Sequence, residues 1–172
     1  EAISPFSIDY GRWIDWWGKG EPVFPKRDME GIETVAFEAE AAAAGSSWEI
    51  FEDEGASNGR YVEVKLGVES IEMAPEGKEA LIVLSFPVKA DGNFAVWARL
   101  DCASADDDSF WVKMDDGEFA SYNGLGTSGW SWVKLDSFAL KAGEHRLVIG
   151  YREDGAKLDK VQISNDLFAP EE

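Results

Sequence analysis

NFAVWARLD, residues 93–101, alternates without a break: Phe94, Val96, Ala98 and Leu100 on one side, Trp97 and Arg99 on the other. Side chains of a strand point alternately to opposite faces, whereas those of a helix return every 3.6 residues. The stretch therefore reads as a strand with one face on a core. SFWVKMDD (109–116) and SWVKLDSF (131–138) repeat the pattern, with Phe110, Val112, Met114, Val133 and Leu135 inward. Their outward residues are Trp111 with Lys113 and Trp132 with Lys134. TVAFEAEA (34–41), RYVEVKL (60–66), ALIVLSFPV (80–88), HRLVIGYR (145–152) and LDKVQIS (158–164) add further strands. In RYVEVKL, Val62, Val64 and Leu66 take the core face and leave Tyr61 outward. Runs such as EDEGASNG (52–59) and YNGLGTSG (122–129) supply turns between strands. Many short strands with frequent turn signals predict an all-β chain, an antiparallel β-sandwich. AEAAAAGSS (39–47) has room for a single helical turn before Gly45 and Ser46 end it.

Residues 1–33 differ. They hold Trp13, Trp16 and Trp17 but no clean strand. The expected organisation is an aromatic-rich N-terminal extension over 1–33, packed on a sandwich over 34–168, with a C-terminal tail over 169–172. Exposed aromatics in a free tail would be an aggregation liability, which favours packing.

Composition narrows the function. A net charge of −18 argues against nucleic acid and against an anionic membrane as partners. No apolar run reaches the ~20 residues of a membrane span. EAISPFSIDY lacks the basic start and apolar block of a signal peptide. A soluble, secreted, extracellular monomer is expected. One cysteine, Cys102, excludes an internal disulfide, and one histidine, His145, has no nucleophile motif beside it. His145 reads as an exposed strand-entry residue and Cys102 as an ordinary, partly buried thiol. The acidic run Asp106, Asp107, Asp108, with Asp115 and Asp116, reads as solvated turns rather than a catalytic pair.

The outward Trp97, Trp111 and Trp132, each two residues before a cation, admit two readings. The face is covered by other chain, with cations resting on indole rings, or it is a ligand face where Trp stacks on sugars. Trp130 follows Gly129 at a loop end, a common place for a binding side chain on a rigid scaffold. It could equally staple the end of the sandwich.

VAFEAEAA, GASNGRYVEV, GWSW and AGEHRLVIGYREDGAKLDKVQIS occur in that order. Together they resemble carbohydrate-binding modules of families 6 and 35, calcium-containing jelly-roll β-sandwiches attached to polysaccharide-degrading enzymes. The resemblance covers about residues 34–165. It implies a structural calcium held by Glu38, Glu40 and Asp159, with a carbonyl near Arg60. It also implies a sugar site at Tyr61, Trp130 and Lys157, with Arg60, Arg152 and Asn123 nearby, in which two facing rings clamp a pyranose. Lys157 stands where the family often has Asn. A basic cluster of Lys157, Arg60 and Arg152 would suit an anionic or algal glycan; alternatively Lys157 pairs with Asp154 and the ligand is neutral. The function so implied is a non-catalytic module that targets a catalytic domain of the same parent protein to a polysaccharide. A structural or adhesion domain of a larger surface protein is the alternative, and a glycoside-active enzyme a further one.

Overall fold

The structure, a computed structural model, describes residues 30–42, 45–166 and 168–171, so the reading of residues 1–29 lies outside the described residues. The described residues from 32 onward belong to one compact unit. Ten strands occur among the described residues: β1 (Thr34–Glu38), β2 (Trp48–Glu52), β3 (Arg60–Val64), β4 (Leu81–Val88), β5 (Gly92–Leu100), β6 (Phe110–Met114), β7 (Ala120–Tyr122), β8 (Ser131–Leu140), β9 (Gly143–Tyr151) and β10 (Lys157–Ser164). One helical turn, α1 (Ala39–Ala42), follows β1. No helix among the described residues is long and apolar enough to cross a membrane.

The strands form two antiparallel sheets. One runs β2-β3-β10-β5-β8, with β1 also on β10; the other runs β4-β9-β6-β7. The expected β-sandwich is what forms. The alternation read in β5 is realised: Phe94, Val96, Ala98 and Leu100 are buried, while Trp97 and Arg99 are only partly so. Phe110 and Val112 of β6 meet them from the opposite sheet, with Phe86 and Leu147. Burying each such side chain contributes roughly 1.5–3 kcal/mol.

One edge of β10 is shared. β3 pairs with its first residues, Lys157 and Leu158, and β1 pairs from Lys160 to Ser164. Between them the register against β5 shifts at Asp159, so that Leu158 and Val161 both reach the core. Such a bulge re-aims one side chain out of the ladder, and here it is Asp159.

Several expectations need correction. Leu66 lies beyond the end of β3 and is 81% exposed, because the alternation stops at Val64. Trp111 does not share a face with Trp97 and Trp132. It belongs to the four-stranded sheet, where its Nε1 donates to Ser70 O at 2.7 Å. Alternation tells which side of a strand a residue takes, not which sheet the strand joins. His145 is not an exposed residue; its ring is largely covered and packs near Phe86 and Asp115. Cys102 is fully rather than partly buried. β7 arises inside a stretch without apolar alternation, drawn into the sheet by pairing with β6.

Candidate functional site

The β2–β3 hairpin places Phe51 opposite Tyr61. Val62 and Val64 take the core, so Tyr61 and its partner point away from it. The two rings stack at 5.7 Å, 26° apart. Trp130, just before β8, meets Tyr61 edge-on at 5.1 Å and 61°. Offset and edge-to-face contacts suit the aromatic quadrupole. Tyr61 is thereby almost covered, at 8% exposed, while Phe51 keeps 39%. The expected slot between Tyr61 and Trp130 is absent, because the rings touch. The apolar surface on offer is that of Phe51 and Trp130. Phe51 was missed in the sequence, although its position in WEIFE, across the EDEGASNG turn from Tyr61, carried the signal.

The loop between β2 and β3 seats Trp130. Asp53 Oδ1 accepts from Gly55 N at 2.7 Å, a local turn that short acidic side chains favour. Its Oδ2 accepts from Trp130 Nε1 at 3.3 Å. Gly55 lies against the indole; a Cβ there would stand 3.1 Å from Trp130 Cδ1. Lys157 Nζ is 5.7 Å from the Tyr61 centroid, and the Arg99 guanidinium 5.8 Å from that of Trp130. Both distances suit cation–π attraction. Burial first, then the Glu63 carboxylate, pushes the Tyr61 hydroxyl up to about 12, so it stays a neutral donor. Burial also raises Glu63, against the pull of Lys157.

Lys157 and Arg152 are held by different acidic partners. Lys157 pairs with Asp101 at 3.7 Å and not with Asp154, whose Oδ2 accepts from Gly67 N. Arg152 is held by Glu153 at 3.0 Å and Ser109 at 2.9 Å, and reaches Asn123 Oδ1 at 3.4 Å. Among the described residues, no hydrogen bond or ion pair joins Arg152, Asn123 or the exposed Arg60 to Tyr61, Trp130 or Lys157. Arg152 and Asn123 instead tie together the loops around Asp108, whose Oδ1 accepts from Gly124 N at 2.9 Å.

Trp97 and Trp132 do share the outer face of the larger sheet, opposite Lys134 and Arg99 respectively. A shallow pocket of about 220 Å³ lies there, lined by Gly55, Ser57, Arg99, Trp132, Lys160 and Glu171.

Glu38, Glu40 and Asp159 gather where β1 ends, β3 begins and β10 bulges. Glu40 reaches this place from α1 rather than from a shared strand face with Glu38. Ser57 Oγ donates to Glu38 at 3.0 Å, Asn58 Nδ2 to Glu40 at 3.1 Å, and Ser57 N to Asp159 at 3.0 Å. Arg99 pairs with Asp159 at 2.5 Å and Lys160 with Glu38 at 2.8 Å. Even so, each carboxylate keeps one buried oxygen without a partner: Glu38 Oε2, Glu40 Oε2 and Asp159 Oδ1. Burial holds the Asp159 carboxyl above its usual range despite Arg99 and Ser57. Yet no three His, Cys, Asp or Glu side chains among the described residues are arranged to hold a metal ion. Arg99 holds one oxygen of Asp159, Lys160 one of Glu38 and Asn58 one of Glu40, and the other oxygen of each is idle. Three carboxylates with idle oxygens are a hard donor set that suits calcium, once drawn together.

No family model and no curated protein matches the chain. Solved structures do. A family 35 carbohydrate-binding module from Clostridium thermocellum superposes with TM-score 0.55 at 18% identity, over 75% of this chain and 97% of that one. The C-terminal family 6 module of LamC, a marine laminarinase from Zobellia galactanivorans, gives TM-score 0.52 at 17% identity, over 76% and 98%. The fold is that of the family 6 and family 35 carbohydrate-binding modules. An exo-β-1,3-galactanase from Phanerochaete chrysosporium also matches, with TM-score 0.55 and 19% identity over 76% of this chain. The chain spans only 29% of that enzyme's length. On this fold, the first half of the loop over residues 53–59 meets Trp130 and its second half meets the carboxylates.

Proposed function

We propose that the chain is a non-catalytic carbohydrate-binding module that holds an attached enzyme on a polysaccharide outside the cell. The observation that supports this most is the ring surface of Phe51 and Trp130, braced from beneath by Tyr61. A pyranose presents an apolar face of C–H bonds, and rigid aromatic surface beside a few polar groups is what such a ligand requires. Asp53, Lys157 and Glu63 stand around the rings to meet hydroxyls. Two of the nearby cations have an acidic partner: Lys157 has Asp101 and Arg99 has Asp159. Those two pairings favour a neutral glycan, and the exposed Arg60 beside Tyr61 is the cation an anionic one would meet. A shallow site of this kind binds weakly alone, because little surface is buried against the cost of ordering and desolvation.

Calcium would be held by Glu38, Glu40 and Asp159, with a backbone carbonyl near Arg60 as a further ligand. Bound there, it supplies a structural tie between β1, β10 and the loop 53–59.

The test is retention on immobilised polysaccharides: neutral β-glucan, xylan and agarose against alginate, pectin and ulvan. Retention on a neutral polymer, reduced about tenfold in affinity by Trp130→Ala (about 1.4 kcal/mol), is expected. Failure to bind any of these would leave the adhesion-domain alternative.

A further inference from the structure

The loop 53–59 touches two sites at once. Its first half seats Trp130: Asp53 accepts from the indole Nε1 at 3.3 Å, and Gly55 lies against the ring. Its second half holds the carboxylates: Ser57 donates to Glu38 and Asp159, and Asn58 to Glu40. The loop is only seven residues long, and it is internally braced. Ala56 N donates to Asp53 O at 3.1 Å and Gly59 N to Ala56 O at 3.1 Å. Asn58 holds a left-handed conformation at φ 54°, which Asn tolerates better than most residues. Arg99 spans the same gap. Its Nη1 donates to Gly55 O at 3.1 Å and to Asp159 Oδ2 at 2.5 Å, while the guanidinium faces Trp130 at 5.8 Å.

The carboxylates have a reason to move. Glu40 is 8% exposed and Asp159 fully buried, and each has an oxygen without a partner. A buried charged oxygen left unmatched is costly. A divalent cation would satisfy all three at once, but only by drawing the carboxylates together. Ser57 and Asn58 are hydrogen-bonded to them and must follow. Sharing Asp159 with a cation also weakens its hold on Arg99 and leaves that guanidinium to Gly55 O and the Trp130 ring.

We propose that the loop 53–59, with Arg99, couples divalent-cation binding at Glu38, Glu40 and Asp159 to the placement of Trp130. The proposal rests on the carbohydrate-binding reading for its purpose, since Trp130 is the coupled side chain. Cation occupancy presses Arg99 onto the indole and firms its seat. Coupling of two binding events is reciprocal, so calcium and glycan then raise each other's affinity.

The test uses the full chain labelled with 5-fluorotryptophan. The Trp130 resonance is identified by its loss in Trp130→Phe. Calcium is titrated into chelator-treated protein, with uptake followed by calorimetry on the same samples. The Trp130 resonance is expected to shift in step with uptake. In Asp53→Ala, which cuts the loop from the indole, uptake persists and the shift falls to less than half. If Asp53→Ala does not fold, Asn58→Gly replaces it with the same expected loss. That variant keeps the left-handed backbone and removes the amide on Glu40. Uptake without a Trp130 shift, a shift unchanged in the variant, or no uptake overturns the proposal. Polysaccharide affinity is then compared in calcium and in chelator, with about a fivefold or larger gain expected in calcium. Equal affinity in both overturns the coupling and leaves glycan binding standing. A calcium-driven Trp130 shift with no retained polymer does the reverse: it supports the coupling and removes the carbohydrate reading.

Discussion

His145 Nδ1 lies 2.7 Å from a carboxylate oxygen of Asp115, and its Nε2 lies 2.8 Å from the carbonyl of Lys141. Both partners only accept hydrogen bonds, so both ring nitrogens must carry protons, and the geometry selects the imidazolium. The contact closes the β6–β7 turn onto β9, where Arg146 N also donates to Asp115 at 2.7 Å.

This relationship has a pH signature. The Asp115 hydrogen bond, then that to Lys141 O, raise the His145 pKa above its ordinary value. A group whose folded pKa is raised contributes stability that is complete below the unfolded pKa, about 6.5 for histidine. That stability is lost as pH rises through the folded pKa. Burial pulls Asp115 upward, but its bonds to His145 and Arg146 outweigh it and set the carboxyl below its usual value. Its own contribution is therefore lost only as pH falls through that lowered folded pKa. His145→Gln should cost about 1 kcal/mol near pH 5.5 and less at pH 8.5. Because the chain has one histidine, its NMR titration is unambiguous and should give a midpoint above 6.5. A midpoint below that would dismiss the imidazolium.

Gly55 tests the seat of Trp130. A methyl group there would crowd Trp130 Cδ1 at 3.1 Å and Asp53 Oδ1 at 3.2 Å. Trp130 stands at a loop end and can yield, so Gly55→Ala should change stability by about 1 kcal/mol or less. Glycan affinity should fall severalfold. A fall in thermal midpoint without a fall in affinity would show that the seat does not matter to binding.

The aromatic residues should separate into two classes. Phe51→Ala removes a half-open ring at the proposed surface and should weaken glycan retention with little effect on folding. Trp111→Phe, in the four-stranded sheet, removes the hydrogen bond to the loop carbonyl of Ser70. It should cost about 1–2 kcal/mol by chemical denaturation and leave retention unchanged. Reversed outcomes would move the site to the four-stranded sheet.

Cys102 should be silent. Burial, foremost, pushes its thiol up to about 11, and its Sγ lies 3.8 Å from Lys157 O. The thiolate is the reactive form, so a disulfide reagent at pH 8 should modify the chain only after denaturant unfolds it. Rapid labelling of the native protein would show that the loop over residues 101–109 opens.

Much of the sandwich was legible because period-two alternation is a local property. β5, β6 and β8 were read residue by residue from NFAVWARLD, SFWVKMDD and SWVKLDSF. β7 escaped because its three residues carry no apolar pattern and gain their state from pairing with β6. Leu66 was misplaced because alternation does not announce where a strand ends. Of the sugar-site residues, Tyr61, Trp130 and Lys157 do come together. Arg152 and Asn123 bond to each other, and Arg152 to Ser109 and Glu153, partners that loop composition does not announce.

Alternation, turn residues and the single cysteine determined, in the sequence alone, an antiparallel sandwich without an internal disulfide. Those signals act over a few residues, and steric and hydrophobic rules convert them directly into strands and faces. Only the tertiary structure decided that Trp111 and Trp132 face opposite ways and that Phe51 joins Tyr61. It also decided that a bulge turns Asp159 toward Glu38 and Glu40, and that the loop 53–59 touches both the Trp130 ring and the carboxylates. Each of these depends on which strands pair and in what register, a choice made by burying the whole core at once and written in no single stretch of chain.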